Sequence, residues 1–352
     1  MKSPRRILSV TAAIAALMLQ PFTARAELLT ISDMFVFGDS LSDGGNSGLL
    51  TQAAAGVVFP PSPYAGGRYT NGLTAVERLW NLYNTDGGLL PSLAGGTNFA
   101  IGGSTTGLES FNEITSSVPD ALHPVFAERS AAWQLDQFQA YAAANSFDPA
   151  TSLFVVWLFP NDVFYFNSTG MLPGVVPGSP GGANVVANGI ANILTTIQIL
   201  AAAGAQHFLV PNMADLADTP AFVGGPLAEA LSQLTFEFNS NLEAQLAMLD
   251  AILVAEITLF DNDAAFQRLL ADPAAFGITN TTEPCLNRAV DPPTLCANPD
   301  QYVFWDSVHP TARAYQIVAR QMQRTLIAEP GTLALLALGL VILGVVHRRR
   351  RR

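Results

Sequence analysis

The sequence places Ser40 where a nucleophile could lie. A short apolar run (residues 34–37) ends in a Gly-Asp-Ser-Leu tetrapeptide that contains Ser40. A serine just after a strand exposes its hydroxyl at the edge of a sheet. The N–H groups of a helix starting there would favour negative charge. Alone this tetrapeptide is a weak signal, because a turn with a capping serine is the commoner explanation.

A second segment supplies a base for such a nucleophile. Asp306 precedes His309 by three residues, and Pro310 follows the histidine. A serine nucleophile needs a general base, which is most often histidine, and the other imidazole nitrogen needs an acceptor such as Asp306. Pro310 disfavours helical geometry at His309, so we expect His309 to project from a loop before the last helix. The alternative is a lone surface histidine in a turn.

Two further segments could stabilise a developing oxyanion. Residues 98–104 include Gly102 and Gly103, where the backbone can approach a ligand closely. Asn161 follows a predicted strand that ends at Trp157, which would put its amide at the carboxyl edge of the sheet. Separately, each segment fits a plain turn. Their order along the chain, with the serine first and Asp-x-x-His last, makes catalysis the better interpretation.

The elements that position these residues form an alternating series. Buried strands are predicted at 34–37, 153–157, 207–210 and 257–260, and helices at 131–144, 184–203, 226–253 and 311–327. Strands that alternate with helices favour one α/β domain with a parallel sheet. The stretches 53–70 and 167–182 are rich in Gly, Pro and Ser and are predicted loops, which either shape a substrate cleft or merely connect elements.

Composition separates the body of the chain from its two ends. The 352 residues are 49% hydrophobic and only 13% charged, which argues against intrinsic disorder. The net charge of −11 is uneven, because residues 1–26 and 331–352 hold nine of the 17 cations and no acid. Eight arginines against 28 acidic residues leave −20 on residues 27–330. So acidic a body disfavours a nucleic-acid partner.

The N-terminal 26 residues are typical of a secretory signal peptide. A basic start precedes an apolar run (7–19) and an Ala-x-Ala cleavage pattern at 24–26. An N-terminal anchor helix is the alternative, although the run is short for a membrane span. Export would place Cys285 and Cys296 in an oxidising compartment, so a disulfide is favoured over two free thiols or a zinc site.

The C-terminal sequence predicts a second targeting signal, in addition to the N-terminal signal peptide. An apolar run (331–346) is followed by His347 and five arginines, and positive charge there should stay cytoplasmic and leave the body outside. This tail resembles the PEP-CTERM sorting signals of Gram-negative bacteria, which imply cleavage by a membrane-embedded transpeptidase. The usual Pro-Glu-Pro appears as Ala-Glu-Pro at 328–330. A plain transmembrane anchor is the alternative. The predicted organisation is therefore a signal peptide (1–26), a domain (27–328) and a sorting tail (329–352).

The four polar segments together resemble the GDSL (SGNH) hydrolase family of esterases and lipases. The resemblance extends from about residue 34 to residue 317. It is carried by residues 37–43, 98–103, 161–162 and 306–310, with weaker matches at 67–72, 134–138 and 279–285. It implies a flavodoxin-like three-layer α/β/α sandwich with a parallel central sheet, which agrees with the alternation of strands and helices.

The resemblance also implies roles for the candidate residues. Ser40 would be the nucleophile, His309 the general base and then acid, and Asp306 the orienting carboxylate. The backbone N–H groups of Ser40 and Gly103, with the Asn161 side chain, would form the oxyanion hole. Asp39 would tie the nucleophile turn, and no metal or organic cofactor is expected.

One position departs from the family pattern. Glycine is usual two residues before the asparagine, but this chain has Phe159 followed by Pro160. We expect a glycine-type backbone conformation to be unavailable there, the Asn161 loop to be reshaped, and the aromatic ring to crowd the acyl site. This weakens the assignment of Asn161 more than that of Ser40 or His309.

The leading hypothesis is an exported serine ester hydrolase that forms an acyl-enzyme on Ser40. An acyltransferase or a polysaccharide O-deacetylase would use the same residues. A surface-anchored binding protein with a weakened hydrolase site is the alternative from another class. The sequence contains no G-x-S-x-G elbow, H-E-x-x-H or Walker A pattern.

Overall fold

A four-stranded parallel sheet lies at the centre of the computed structural model, which describes residues 30–85 and 87–327. Its strands pair in chain order and are β1 (Asp33–Gly38), β2 (Ser152–Trp157), β3 (His207–Pro211) and β4 (Glu256–Phe260). All three pairings are parallel. The four strands predicted from apolar runs are confirmed, with ends shifted by at most one residue.

A further extended segment lies along the open edge of β1. Val36 N–H donates to the Thr97 carbonyl (3.1 Å), and Phe99 N–H donates to the Val36 carbonyl (2.8 Å). The Val36–Asn98 bridge is parallel. With this segment counted as the second of five, the order across the sheet is 2-1-3-4-5, as in flavodoxin-like folds.

Nine α-helices surround the sheet in the described part of the chain. They are α1 (Asn46–Ala55), α2 (Ala75–Tyr83), α3 (His123–Phe126), α4 (Ala131–Ala144), α5 (Pro160–Thr169), α6 (Val185–Ala202), α7 (Ala228–Asp250), α8 (Asn262–Ala271) and α9 (Ala312–Ile327). The predicted helices correspond to α4, α6, α7 and α9, within three residues at each end. The first three residues of each predicted loop, 53–70 and 167–182, instead belong to α1 and α5.

The helices cover both faces of the sheet. Phe35, Phe154 and Phe208 pack on one face with buried residues of α4, α6 and α7. Val36, Val155 and Leu209 point to the other face and pack with α2, α8 and α9. Because neighbouring strand residues alternate between two separate cores, the domain has the three layers that the sequence predicts.

One described helix is long and apolar enough to cross a membrane by length and composition. This is α6, and 61% of its most apolar window is buried inside the domain. Its apolar residues therefore already have partners, as expected of a core helix.

A small disulfide-closed lobe leads into the final loop. Strand β5 (Asn280–Pro284) pairs with β8 (Tyr302–Phe304), and β6 (Leu286–Asn287) pairs with β7 (Thr294–Leu295). Cys285 and Cys296 form the disulfide that the sequence favours. The predicted signal peptide (1–26) and sorting tail (329–352) lie outside the described residues.

Candidate active site

The turn that carries Ser40 is built around one buried carboxylate. Asp43 is fully buried and accepts hydrogen bonds from Gly45 N, Asn46 N, Ser47 N, Ser47 Oγ and Gly102 N at 2.5–3.1 Å. Helix α1 begins only at Asn46, and the N–H groups of its first turn bind Asp43. The helix start therefore offers its N–H groups to an acidic side chain, but this is Asp43 and not Ser40.

Asp39 ties the first half of the same turn. Its Oδ1 accepts from Leu41 N at 2.9 Å, and its carbonyl accepts from Ser42 N and Asp43 N. Burial, opposed by the hydrogen bond from Leu41 N and by the charge of His309, raises the Asp39 pKa to about 7. These contacts fit the structural role expected for Asp39.

The loop after β8 places the acid and the base beside this turn. His309 Nδ1 lies 2.8 Å from Asp306 Oδ2, and His309 Nε2 lies 2.8 Å from Ser40 Oγ. Trp305 N–H donates to the His309 carbonyl at 2.7 Å, which closes the loop. As expected, His309 projects from a loop before the last helix, here α9. The three side chains form one hydrogen-bonded series that joins the first strand of the domain to the loop before its last helix.

Asp306 is held in its charged form. Burial alone would raise its pKa, but the charge and hydrogen bond of His309, with N–H donors from Val308 and His309, bring the pKa below its usual value. Such a carboxylate accepts from His309 Nδ1, so Nε2 is free to take a proton from Ser40.

Two tyrosines missed by the sequence reasoning support this pair. Tyr64 Oη donates to Asp306 Oδ2 at 2.7 Å, and the Tyr69 ring lies 5.2 Å from the His309 ring between centroids. Tyr64 lies in the predicted loop 53–70, where no local pattern distinguishes it. Tyr69 lies in the weakly matching segment 67–72, which was a usable signal.

The weakly matching segment 67–72 also holds the loop of His309 through hydrogen bonds. Thr70 Oγ1 donates to the Pro310 carbonyl at 2.8 Å, and Asn71 Oδ1 accepts from Ala312 N at the start of α9. These contacts join the histidine loop to a segment about 240 residues earlier in the chain.

The candidate oxyanion donors come from three different turns. Gly103 has φ +82°, and a Cβ there would meet Asn112 Cγ at 2.5 Å, so the position requires glycine. Within residues 30–85 and 87–327, the N–H groups of Ser40 and Gly103 donate to no protein acceptor. Asn161 Nδ2 donates to the Ser104 carbonyl at 3.1 Å. All three residues line the cavity that contains the Ser40 hydroxyl.

Phe159 behaves differently from the expectation. It adopts φ 128° and ψ −36°, so a glycine-type conformation is available to it, at a typical cost of about 1–3 kcal/mol. Its ring is fully buried and stacks on Phe238 instead of lining the cavity. The expected crowding of the acyl site is therefore wrong. Asn161 keeps its place after β2, in the first turn of α5.

The cavity around Ser40 has a volume of about 840 Å³. Large apolar side chains form much of its wall, and they include Phe59, Phe111, Val118, Phe164, Met213 and Phe266. Within the described residues, no group of three or more His, Cys, Asp or Glu side chains could hold a metal ion. The arrangement joins a base-activated hydroxyl, unused N–H donors and an apolar recess. This combination suits attack on the carbonyl of an acyl group.

Comparison with known proteins gives a consistent result. A family model described as GDSL-like Lipase/Acylhydrolase matches residues 34–322. A GDSL esterase/lipase of Arabidopsis thaliana is 27% identical, over 82% of this chain and 80% of that protein. The thermolabile hemolysin of Vibrio parahaemolyticus is 26% identical over 83% of this chain, which spans only 63% of the hemolysin. A catalytic mutant of an acetylxylan esterase from Geobacillus stearothermophilus has a TM-score of 0.44 and 13% identity, covering 84% and 95% of the two chains.

Proposed function

Because the chain belongs to the GDSL-like lipase/acylhydrolase family, whose members are hydrolases acting on ester bonds, we propose that it is an exported serine esterase. The observation that carries this proposal is the unbroken hydrogen-bonded series from Asp306 through His309 to Ser40. Ser40, His309 and Asp306 act as nucleophile, general base and orienting carboxylate.

The reaction proceeds through an acyl-enzyme. His309 Nε2 takes the proton of Ser40 Oγ as this oxygen attacks the ester carbonyl. The N–H groups of Ser40 and Gly103 and the amide of Asn161 donate to the developing oxyanion. His309 then protonates the departing alcohol. A water molecule, deprotonated by His309, attacks the acyl carbon, releases the carboxylic acid and restores the Ser40 hydroxyl.

The cavity favours a catalytically active esterase over the alternative of a binding protein with a weakened hydrolase site. That alternative rested on the Phe159-Pro160 departure and on the sorting tail. The first support is lost, because the Phe159 ring lies in the core. The apolar wall of the cavity suits an acyl group.

The ends of the chain extend the proposal to its location. Residues 1–26 direct export, residues 27–328 form the hydrolase, and residues 329–352 are a PEP-CTERM-like sorting tail that enters the inner membrane of a Gram-negative bacterium. A membrane-embedded transpeptidase would cut this tail and release the enzyme to the cell surface or beyond. The Cys285–Cys296 disulfide is in keeping with an oxidising compartment. The intact mass of protein recovered outside the host cytoplasm tests both cleavages, and an uncut tail would favour a permanent anchor.

Replacing the nucleophile tests the catalytic proposal. We expect Ser40→Ala to lower kcat on a chromogenic short-chain ester by roughly 10⁴-fold or more, and to abolish labelling by a fluorophosphonate probe. Ser42→Ala is the matched control, because Ser42 Oγ is buried in the same turn without a hydrogen-bond partner among the described residues. Unchanged hydrolysis in Ser40→Ala contradicts the proposal.

A further inference from the structure

We propose that Phe159 is a positioning residue for Asn161, and that its ring holds the backbone of the oxyanion turn in the conformation that the amide requires. This inference rests on the proposed esterase function. It starts from a conflict, because a bulky side chain stands where the backbone has φ 128°. Such a conformation persists only where the surroundings over-determine it.

The surroundings of the ring form a narrow slot between two helices. On one side the ring lies parallel to that of Phe238 on α7, with centroids 3.8 Å apart and an interplanar angle of 3°. The ring also packs against Gly189 of α6, where an added Cβ would lie 2.4 Å from Phe159 Cδ2. Gly189 therefore makes the room that the ring occupies. The ring is fully buried, so it cannot move without displacing its neighbours.

The backbone transmits this restraint to the amide. The Phe159 carbonyl accepts from Asp162 N at 2.8 Å and so closes the first turn of α5, which contains Asn161. Asp162 in turn accepts from Thr106 N–H (2.8 Å) and Thr106 Oγ1 (2.6 Å), close to the Gly103 turn. The segment 159–162 is thus held at one end by packing and at the other by hydrogen bonds, with Asn161 between them.

Loss of the ring would leave an unfavourable φ without its restraint. An alanine at 159 keeps the Cβ and its conflict, so the backbone should relax toward negative φ and carry Asn161 away from the oxyanion. A glycine loses the same ring but adopts φ 128° without strain. A merely structural ring predicts a different result: the strained alanine variant would be less stable than the glycine variant, but the folded enzymes would have equal kcat values.

The experiment compares Phe159→Gly, Phe159→Ala and Phe159→Leu on a soluble chromogenic ester, below the unfolding temperature of each variant. We expect kcat to fall about 10- to 100-fold in the alanine and leucine variants with KM nearly unchanged, and to stay within about 5-fold of wild type in the glycine variant. Phe159→Leu keeps most of the apolar volume, so a folded non-glycine variant remains available. Leu246→Ala, at another buried position of α7, is the control for destabilisation without loss of the stack.

The outcomes separate the two proposals. Equal kcat values in the glycine and alanine variants, or a kcat that follows thermal stability through Leu246→Ala as well, overturn the positioning role alone. A Ser40→Ala enzyme that still hydrolyses the ester overturns the proposed function and this inference together. Retention of kcat in Phe159→Gly with its loss in Phe159→Ala and Phe159→Leu supports the positioning role.

Discussion

The turns after β1 and β2 lie side by side, yet they are held by different forces. Gly38 and Trp157 are register partners at the ends of these strands, so Ser40 and Asn161 project from the same edge of the sheet. The Ser40 turn is held by hydrogen bonds to Asp43. The Asn161 turn is held by the stacked ring of Phe159 and by two hydrogen bonds from Thr106 to Asp162.

The difference shows that polar networks and aromatic packing can fix neighbouring parts of one site. Hydrogen bonds to a buried carboxylate are directional and fix each N–H separately, but removing the acceptor leaves all donors unpaired. A stacked ring tolerates an unusual backbone because it resists displacement as one rigid body. We therefore expect that replacing the residue that holds the Ser40 turn mainly lowers the free energy of unfolding. Changes in the Asn161 turn should mainly lower kcat.

The largest expected effect comes from the acceptor of the Ser40 turn. Asp43→Ala leaves four buried donors without an acceptor, each costing about 1–3 kcal/mol, while Gly102 N keeps Ser47 Oγ as an acceptor. The free energy of unfolding should fall by at least about 4 kcal/mol, a large part of a typical domain's stability. Urea unfolding measures this change. Asp136→Ala, at an exposed position of α4, is the control, and a similar small loss in both variants would contradict the hydrogen-bonded character of the turn.

The second effect concerns rate. Asn161→Ala should lower kcat by about 10²–10³-fold and leave KM nearly unchanged, because an oxyanion donor acts mainly in the transition state. Its stability should change little, since Asn161 donates only one hydrogen bond, to Ser104 O, among the described residues. Steady-state kinetics of Asn161→Ala tests this expectation. Asn167→Ala, which replaces an exposed asparagine on the same helix, is the control. A kcat within about 3-fold of wild type would remove Asn161 from the oxyanion hole.

The smallest effect is a pH dependence within the Asn161 turn. Burial, opposed by the bonds from Thr106, raises the Asp162 pKa to about 7. The native state therefore binds more protons than the unfolded chain between about pH 4 and 7, and stability falls as pH rises through this window. Wild type should lose roughly 1 kcal/mol relative to Asp162→Asn between pH 6 and pH 8.

Urea unfolding of both proteins at the two pH values measures this difference. Asp39, whose pKa is also raised to about 7, is present in both proteins, so the part of its titration that does not depend on the charge of Asp162 cancels. Parallel pH profiles would show that Asp162 does not titrate in this range.

Much of the fold was accessible to local reasoning. Apolar runs of four or five residues located the strands within one residue, because a strand buried on both faces has a continuous apolar sequence. Helices α1, α2, α3, α5 and α8 were missed, since each has ten residues or fewer. Of these, α1 and α5 are also rich in polar residues and open next to the site. Polar residues there serve the turns and obscure the helical period.

The residues of the site also divide into those that short motifs identified and those that only the folded structure revealed. Ser40 and the pair Asp306 and His309 were identifiable because each belongs to a short motif whose spacing suits its chemistry. Tyr64 was not, because its hydrogen bond to Asp306 joins residues 242 positions apart. Nothing in the neighbourhood of Tyr64 in the sequence indicates that its hydroxyl will meet a carboxylate.

Phe159 shows the difference between what the sequence determines and what the tertiary structure decides. The sequence by itself determined which residues can do chemistry, the order of the strands along the chain and the two basic ends, since these follow from residue type and short-range spacing. It also determined that a phenylalanine disfavours positive φ. Whether that preference prevails was decided only in the tertiary structure, where Gly189 and Phe238 form a slot for the ring. Packing in a dense core outweighs a local backbone preference, and it can do so only once distant segments meet.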